Sequence, residues 1–279
     1  MFQNWLVLAI VAGVSSVFFN AANRQALKNG EDSTVYAWIF ELIRFIFFAS
    51  LIPFNYFLIC SARTTTTLIL LGFSELAGVY LYMKMHSHTE LSISSILSRL
   101  RVLLVPMFAF VFLGERLTTL QYIGIITIFT GCLVVVGMKN IRNTKGIWYA
   151  LAFVIVNTLS TLLLKSASSV ASTAIVSAAF SFPAAALIPL IMKSPRKRIA
   201  FSTSILFKPT LLAAAFNIIT MYALVTSYQL APAGQVNGVF QGATTLSVVF
   251  GIIFLNERDH KLLKIIGAAL TTAGIILLV

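Results

Sequence analysis

Charged residues are scarce in this sequence, and their scarcity sets the class of protein. Only 10% of the 279 residues are charged, whereas 59% are hydrophobic and the mean hydropathy is +0.95. A water-soluble chain carries roughly a quarter charged residues. The deficit excludes a soluble globular domain and indicates a surface that faces lipid.

Acidic residues are especially rare, with 8 Asp and Glu against 20 Lys and Arg and a net charge of +12. In a soluble protein this balance would suggest binding to nucleic acid. In a membrane protein it is typical of basic loops that fix the orientation in the bilayer. We therefore predict no nucleic-acid partner.

The residues that build cofactor and catalytic sites are also few. Cys60 and Cys132 fall inside apolar runs, where each is expected to pack as a small hydrophobic residue. His86, His88 and His260 lack the spacing of metal ligands. The sequence has no GxxxxGK[ST] phosphate-binding loop, and its Asp, His and Ser residues do not cluster as a catalytic site would require. These absences predict a protein that is not an enzyme and binds no metal or cofactor.

Long apolar runs are what the sequence has in abundance. No Lys or Arg precedes the first run, so we interpret it as a retained membrane helix rather than a signal peptide. Runs of about 20 apolar residues cross a bilayer as α-helices, which satisfy their own backbone hydrogen bonds. Ten runs are predicted, at residues 5–22, 35–60, 65–84, 91–113, 117–138, 146–165, 171–192, 209–228, 234–255 and 261–279. The predicted fold class is all-α, a polytopic membrane protein whose longest loop is Lys193–Lys208.

The two halves of the sequence resemble each other. Residues 92–136 laid over residues 234–279 match at an offset of 142. The matched pairs are Phe108 with Phe250, Phe112 with Phe254, Leu113 with Leu255, Glu115 with Glu257, Arg116 with Arg258 and, with one extra residue in the second copy, Gly124 with Gly267 and Gly131 with Gly274. At a similar offset, Trp5 falls on Trp148 and Tyr80 on Tyr222.

This similarity predicts two five-helix repeats, residues 1–140 and 141–279, within one membrane domain. Because five is odd, the second repeat enters the membrane from the opposite side. Inverted repeats of this kind allow one central site to open first to one side of the membrane and then to the other.

The repeat carries a family motif. Its first copy is Phe112–Thr118, followed by Gln121, Gly124 and Gly131, and its degenerate second copy is Phe254–Arg258. The pattern resembles the EamA type of the drug/metabolite transporter superfamily, and the resemblance extends over the whole chain as five plus five helices. It implies transport of amino acids, drugs, nucleotide sugars or other metabolites. The second copy departs from the family at Asn256, where glycine is frequent.

Five ionisable side chains fall inside the predicted spans, namely Glu41, Arg44, Glu75, Arg99 and Arg101. Each costs at least ~2.5–3.5 kcal/mol at a helix centre and is therefore a candidate site residue. Glu75 and Arg99 are both 12 residues from Ser87, the centre of a predicted hairpin. They share a depth of about 18 Å from that turn, close to the bilayer midplane.

The repeat offset places Asn217 and Gln241 at the equivalent depth of the second half, and Glu41 and Arg44 lie three residues apart on one helix face. The predicted lining of a single substrate-binding cavity consists of Glu75, Arg99, Glu41, Arg44, Tyr80, Asn217, Tyr222, Asn237, Gln241 and Asn157. The alternative is that Glu75 with Arg99, or Glu41 with Arg44, forms a buried ion pair that only joins helices.

Other charged positions have structural interpretations. Arg101 is predicted to point about 200° away from Arg99 and to pair elsewhere or reach the interface. Lys165 is predicted to anchor a span end. Glu115 and Glu257 occupy short turns, where each is predicted to cap the following helix.

Lysine and arginine are distributed unevenly between the predicted loops. The odd-numbered loops hold 14, namely Arg24, Lys28, Lys84, Lys139, Arg142, Lys145, Lys193, Arg196, Lys197, Arg198, Lys208, Arg258, Lys261 and Lys264. The even-numbered loops hold three, Arg63, Arg116 and Lys165. The positive-inside rule places the odd-numbered loops in the cytoplasm and both termini outside. The family resemblance implies cytoplasmic termini.

These features predict a secondary transporter in the cell membrane, inner or plasma, that moves a small polar metabolite by alternating access. The expected cargo is amino-acid-like or otherwise zwitterionic or anionic, and a nucleotide sugar, drug or organic cation is the alternative. Glu75 is the predicted coupling residue, with protons or a counter-solute as the coupled species. A membrane-embedded lipid-modifying enzyme or a non-transporting membrane subunit is the alternative from another class. Both a monomer and a homodimer fit the sequence.

Overall fold

The computed structural model of the protein describes residues 4–27, 32–88, 97–136, 145–192, 194–254 and 261–279. These ranges contain ten α-helices: α1 (Asn4–Ala26), α2 (Ser33–Leu51), α3 (Ala62–His88), α4 (Arg101–Leu113), α5 (Thr119–Val136), α6 (Lys145–Ser168), α7 (Thr173–Ile191), α8 (Pro195–Leu230), α9 (Ala233–Phe254) and α10 (Lys261–Leu278). They contain no β-strand, only an isolated bridge between Leu58 and Ala171. The all-α prediction is confirmed.

Several of these helices have the length and composition of membrane spans. Six such segments are Asn4–Asn23, Ser33–Phe54, Ala62–Tyr82, Ile147–Ser168, Thr173–Ile191 and Pro195–Leu230. Two shorter apolar segments, Thr119–Val135 and Ile265–Leu278, lie in α5 and α10. The remaining predicted spans stay predictions as far as crossing the bilayer is concerned.

Two predicted boundaries are wrong, and proline explains both. The second run was predicted to reach residue 60, but α2 ends at Leu51 and a 3-10 turn follows over Ile52–Phe54. Pro53 lacks the N–H of a continuing helix and restricts the residue before it. Cys60 consequently lies exposed in the following loop rather than inside a span.

The basic segment predicted as the longest loop is helical from Pro195 onward. Proline is favoured at the first position of a helix because its missing N–H would have no intrahelical partner there. Pro209 lies inside the same helix without ending it, so α8 has 36 residues. Lys193 and the second motif copy beyond Phe254 lie outside the described residues.

The helices pack in combinations that recur five helices further along the chain. α1 packs against α8 and α9, and α6 packs against α3 and α4. The contact of α2 with α8 corresponds to that of α7 with α3. The contact of α4 with α5 corresponds to that of α9 with α10. Three further contacts join helices five apart: α2 with α7, α4 with α9, and α5 with α10.

Glycines bring α5 and α10 into backbone contact. A Cβ atom placed on Gly124 would lie 2.8 Å from the carbonyl oxygen of Gly274, and one on Gly131 would lie 2.7 Å from that of Gly267. These distances are too short for any side chain. Small residues at such crossings let membrane helices approach closely, so the matched glycines of the motif form a helix–helix seam.

The motif itself turns the chain between α4 and α5. Gly114 ends α4 with φ 67°, in the left-handed region that favours glycine. At the start of α5, the Thr118 N–H donates to Gln121 Oε1 at 3.0 Å and the Gln121 N–H donates to Thr118 Oγ1 at 3.3 Å. This reciprocal pair is a capping box, and it explains the spacing of Thr118 and Gln121.

Candidate functional site

Three ionisable side chains meet between α2 and α3 and are named here the acid–base cluster: Glu41, Arg44 and Glu75. Arg44 Nη1 lies 3.0 Å from Glu41 Oε1 and 3.3 Å from Glu75 Oε1. The side chains of Glu41 and Arg44 are only 1% and 3% exposed, and that of Glu75 is 14% exposed. One guanidinium therefore faces two carboxylates away from water.

The guanidinium of Arg44 also contacts two aromatic rings. Its Cζ atom is 5.1 Å from the ring centroid of Phe40 and 5.2 Å from that of Phe180. Cation–π contact within about 6 Å is favourable, more so when the cation is desolvated. Both rings therefore stabilise the buried positive charge of Arg44.

One edge of Arg44 has no partner among the described residues. Its Nε and Nη2 atoms are buried without a hydrogen bond, as is Oε2 of Glu41. On α7, the hydroxyl oxygens of Ser177 and Ser181 are also buried without a hydrogen bond. The Ser181 hydroxyl lies close enough to the Glu41 carboxylate to interact with it. Buried polar atoms nearly always have a partner, so these atoms point to a ligand or to water.

Arg99 belongs to a second polar group, which it forms with residues of α9. Its Nη1 donates to Gln241 Oε1 at 3.0 Å and to Thr244 Oγ1 at 2.9 Å, both on α9. Glu75 pairs with Arg44 rather than with Arg99, so the alternative of a Glu75–Arg99 ion pair is wrong. The other alternative, an ion pair between Glu41 and Arg44, is present.

Arg101 pairs elsewhere, with residues of α6 and α9, which is one of the two outcomes predicted for it. Its Nη2 donates to Thr161 Oγ1 on α6 at 2.9 Å, and its carbonyl oxygen accepts from Asn237 Nδ2 on α9 at 3.1 Å. The predicted direction assumed an unbroken helix, whereas a turn at Leu100 separates residues 97–99 from α4. Arg101 Nε and Asn237 Oδ1 remain without a partner in the described part of the chain.

Asn157 and Asn217 lie on α6 and α8. Asn157 Nδ2 and Glu75 Oε2 are both near Gly78, at 4.0 Å and 3.9 Å from where its Cβ would be. Asn157 therefore borders the acid–base cluster. Asn217 Oδ1 is buried, and no described residue pairs with it.

Tyr80 and Tyr222 are placed differently from the other predicted site residues. Their side chains are 53% and 43% exposed, and the ring of Tyr80 lies under the ammonium group of Lys84 at 5.9 Å. They are not part of the buried groups around Arg44 and Arg101. A role for either tyrosine in binding stays a prediction.

Several polar residues of these groups were missed in the sequence. Thr161 binds Arg101 and Thr244 binds Arg99. Ser177 and Ser181 add hydroxyls on α7. Hydroxyl residues are frequent in membrane helices, so composition did not single them out. The i,i+4 spacing of Ser177 and Ser181, one face of one helix, is the signal that could have found them.

Glu115 and Lys165 hold the turn between α8 and α9 and are named here the α8–α9 clamp. Glu115 Oε2 accepts from the Ala233 N–H at 2.7 Å, and Lys165 Nζ donates to the carbonyl oxygens of Tyr228 and Ala231 at 2.6 Å and 2.9 Å. The expectation that Glu115 caps the following helix is wrong, because Gln121 already caps α5. Lys165 likewise turns inward to these carbonyls instead of anchoring in the interface. Glu257 lies outside the described residues.

Asp32 and Arg198 join α2 to α8 at the opposite end. The carboxylate accepts from Arg198 Nε and Nη2, both at 2.6 Å, and from the N–H groups of Thr34 and Val35 as the N-cap of α2. Burial acts to raise the pKa of Asp32, but the hydrogen bonds from Arg198 and the two backbone N–H groups outweigh it and hold the pKa below its ordinary value. Asp32 is therefore charged at neutral pH.

Two cavities lie near the ends of the helices. One of about 430 Å³ is lined by Asp32, Lys197, Arg198, Phe201, Ser202, Ile205 and Leu206, and one of about 290 Å³ by residues around Arg63 and Ser166. Neither is lined by a predicted substrate-binding residue. The acid–base cluster is thus packed inside the bundle and separated from both cavities.

Comparison with known proteins finds a family match over the first half of the chain. No curated protein matches it in sequence. A solved structure described only as the crystal structure of a protein aligns over 99% of this chain and 98% of its own, with a TM-score of 0.68 and 14% identity, which shows a common fold. Residues 3–137 match the EamA-like transporter family. The match confirms the resemblance predicted from the motif at Phe112–Thr118, and the protein is an integral, multi-pass membrane protein whose first half is similar to the EamA-like transporter family.

Proposed function

We propose that this protein is a secondary transporter of a small zwitterionic metabolite, of the amino-acid type, and that Arg44 and Glu41 bind its two charges. The single observation that carries the proposal is that both residues keep buried polar atoms without a hydrogen-bond partner. Arg44 offers two buried donors, and Glu41, which contacts Arg44 through its other carboxylate oxygen, offers one buried acceptor.

The unpartnered edge of Arg44 suits a carboxylate. Its Nε–H and Nη2–H groups form the parallel fork that binds a carboxylate with two hydrogen bonds. Leaving such donors buried and unpaired costs about 1–3 kcal/mol each, and more for a charged group. A bound carboxylate removes that cost, while Glu41 Oε2 can accept from an ammonium group of the same molecule.

Other cargo fits these atoms less well. An organic cation would satisfy Glu41 but leave the Arg44 fork unpaired, and a nucleotide sugar would satisfy the fork but bring no cation to Glu41. Both remain alternative cargo of the superfamily. An anionic solute is the nearer alternative, since Arg101 Nε is a further unpartnered donor.

Alternating access requires two halves that can exchange conformations, and three observations support a two-fold relation between residues 1–140 and 141–279. The helix contacts recur five helices along. Gly124 meets Gly274 while Gly131 meets Gly267, a reciprocal contact typical of two-fold axes. Arg99 contacts Gln241, its own counterpart at the offset of 142. We infer an inverted repeat whose axis passes through these contacts.

Charge balance favours Glu75 as the coupling residue. Two carboxylates share one guanidinium nitrogen, within the ~4–6 Å range over which like charges disfavour each other. One further positive charge, from a proton or from the ammonium group of the cargo, would balance the cluster. Exchange of one for the other would couple cargo movement to a proton gradient, and a counter-solute is the alternative coupled species. The proposed location is the cell membrane, inner or plasma, with a monomer or a homodimer as the unit.

Uptake into proteoliposomes containing the purified protein tests the proposal. A panel of labelled amino acids is compared with the same compounds after the carboxylate is converted to an amide or the amine is acetylated. We expect uptake, and thermal stabilisation of the protein, only with both charges intact. Equal uptake of the amide forms would exclude carboxylate recognition by Arg44. No uptake or stabilisation by any solute would favour a non-transporting subunit.

A further inference from the structure

The first turns of α8 extend beyond what a membrane span requires. The helix has 36 residues, about 54 Å at 1.5 Å per residue, whereas the hydrocarbon core is about 30 Å thick. It ends at Leu230 in the short turn held by the α8–α9 clamp, so the excess lies at its start. Tilt takes up only part of that excess. Residues 195–208 therefore lie at the headgroup level on the side of the odd-numbered loops.

The surface of this segment is both apolar and basic. Phe201, Ile205 and Phe207 are 76%, 54% and 47% exposed, and Arg196 and Lys197 are exposed one turn before them. Helical segments that combine exposed aromatic and aliphatic residues with Lys and Arg lie in the interface of a membrane. Water alone would leave these apolar side chains uncovered.

The wall of the cavity of about 430 Å³ is also both basic and apolar. Lys197 and Arg198 contribute its cations, and Phe201, Ile205 and Leu206 contribute apolar side chains. The one carboxylate in its wall, Asp32, is neutralised by two hydrogen bonds from Arg198. Lys197 forms no ion pair with any residue that the structure describes, so the lining of the cavity carries a net positive charge.

We propose that this cavity binds an anionic phospholipid of the leaflet that faces the odd-numbered loops. The phosphate contacts Lys197 with support from Arg196, and an acyl chain covers Phe201 and Ile205. A cation next to a membrane surface contributes about 1 kcal/mol to attraction of anionic lipid. A soluble anion would use the cations but would leave the apolar wall empty, which is why the lipid is the better occupant.

Lipid binding to the purified full-length protein tests the proposal, with phosphatidylglycerol and phosphatidylcholine compared by native mass spectrometry. We expect phosphatidylglycerol to bind more tightly. Lys197→Gln should weaken its binding about fivefold, and the Arg196→Gln/Lys197→Gln pair about fivefold again. Arg116→Gln is the matched control, because it removes an exposed cation at the opposite end of the bundle. Phe201→Ser probes the apolar wall and should also weaken binding.

Three results would overturn the proposal. Equal binding of the two lipids would remove the role of the charge. Unchanged binding by both the Lys197→Gln and Phe201→Ser variants, each with wild-type thermal stability, would place the lipid elsewhere. Complete competition by inorganic phosphate would assign the site to a soluble anion. Should Lys197→Gln fail to fold, Phe201→Ser decides alone.

Discussion

Arg44 occupies the position on which the account of the site depends. It binds two carboxylates through one nitrogen, contacts two aromatic rings and keeps two donors unpaired. Removing one partner of a buried ion pair typically costs about 3–5 kcal/mol. Substitutions here therefore have to preserve charge or hydrogen bonding if function is to be separated from folding.

Replacing Glu75 with glutamine should abolish coupling while preserving the fold. Glutamine can still accept a hydrogen bond from Arg44 but cannot gain or lose a proton. We expect Glu75→Gln to take up cargo with a rate that no longer varies with pH. Proteoliposome uptake measured over a series of pH values checks this. Arg116→Gln, at an exposed position outside the acid–base cluster, should keep the wild-type pH profile. A Glu75→Gln uptake rate that still follows the wild-type pH profile would exclude coupling at this residue.

Replacing Asp32 separates its ion pair from its capping role. Because the folded-state pKa is lowered, the ionised carboxylate stabilises the protein at neutral pH, and this stability is lost as the pH falls through that pKa. At neutral pH, Asp32→Asn should keep the cap and lose about 0.2–1 kcal/mol, and Asp32→Ala should lose about 1 kcal/mol more. Thermal unfolding at neutral and acidic pH measures both. Equal stability of the two variants would contradict the capping role.

The seam between α5 and α10 holds the two halves together at the scale of elements. Its glycines were visible in the sequence as a repeated seven-residue step, from Gly124 to Gly131 and from Gly267 to Gly274. The sequence could not show that Gly124 contacts Gly274 while Gly131 contacts Gly267. That contact follows from the antiparallel approach of the helices, which depends on how ten elements pack together.

A methyl group at the seam should destabilise the protein. A Cβ on Gly131 would lie 2.5 Å from Thr271 Oγ1 and 2.7 Å from the Gly267 carbonyl oxygen, and such overpacking costs about 1–3 kcal/mol. Gly78→Ala is the control, since its Cβ meets nothing closer than 3.9 Å. Both variants gain similar helix propensity. We expect a lower melting temperature for Gly131→Ala only, and equal values would contradict the seam.

The presence of each helix was predictable, because every apolar run has to form a helix in lipid. The residues at which the helices begin and end were less predictable. Pro53 ended α2 early, whereas Pro195 began α8 and Pro209 passed within it. A proline that begins a helix loses no hydrogen bond, because its missing N–H would have had no intrahelical partner there. Inside a helix the bond is lost both where the helix stops, as near Pro53, and where it continues, as at Pro209. That distinction requires the neighbouring contacts.

At the scale of the whole molecule, the even-numbered loops tie the first half to the second. The Ile59 N–H donates to the Val170 carbonyl oxygen and the Ser172 N–H to that of Phe57, both at 2.8 Å. The α8–α9 clamp adds Glu115, from the first half, to the turn of the second. These contacts close the even-loop end of the bundle in the conformation described. In the alternating-access account, they have to separate when that end opens.

The candidate site was predictable in part. Burial cost alone selected Glu41, Arg44 and Glu75, and the repeat offset linked Arg99 to Gln241, which are in contact. The partner of each carboxylate was not predictable, because an equal depth in the membrane does not determine which helices face each other. Glu75 and Arg99 share a depth by residue count, yet α3 presents Glu75 to Arg44 of α2.

Orientation can be tested with a native cysteine. Cys60 is exposed in the loop between α2 and α3, whereas Cys132 is buried. If the charge distribution sets the topology, this even-numbered loop lies outside. A membrane-impermeant maleimide should then label the protein in intact cells, and Cys60→Ser should abolish the labelling. Labelling only after permeabilisation would reverse the orientation, as the family resemblance implies.

The central claim is that the unpaired fork of Arg44 binds the carboxylate of the cargo, and Arg44→Lys tests it most directly. Lysine preserves the positive charge between Glu41 and Glu75 but lacks the two parallel donors. Initial uptake rates of the best amino-acid substrate into proteoliposomes should show KM raised roughly ten- to a hundredfold, with Arg63→Lys as a control that leaves KM unchanged. A folded Arg44→Lys protein with wild-type KM would contradict the account.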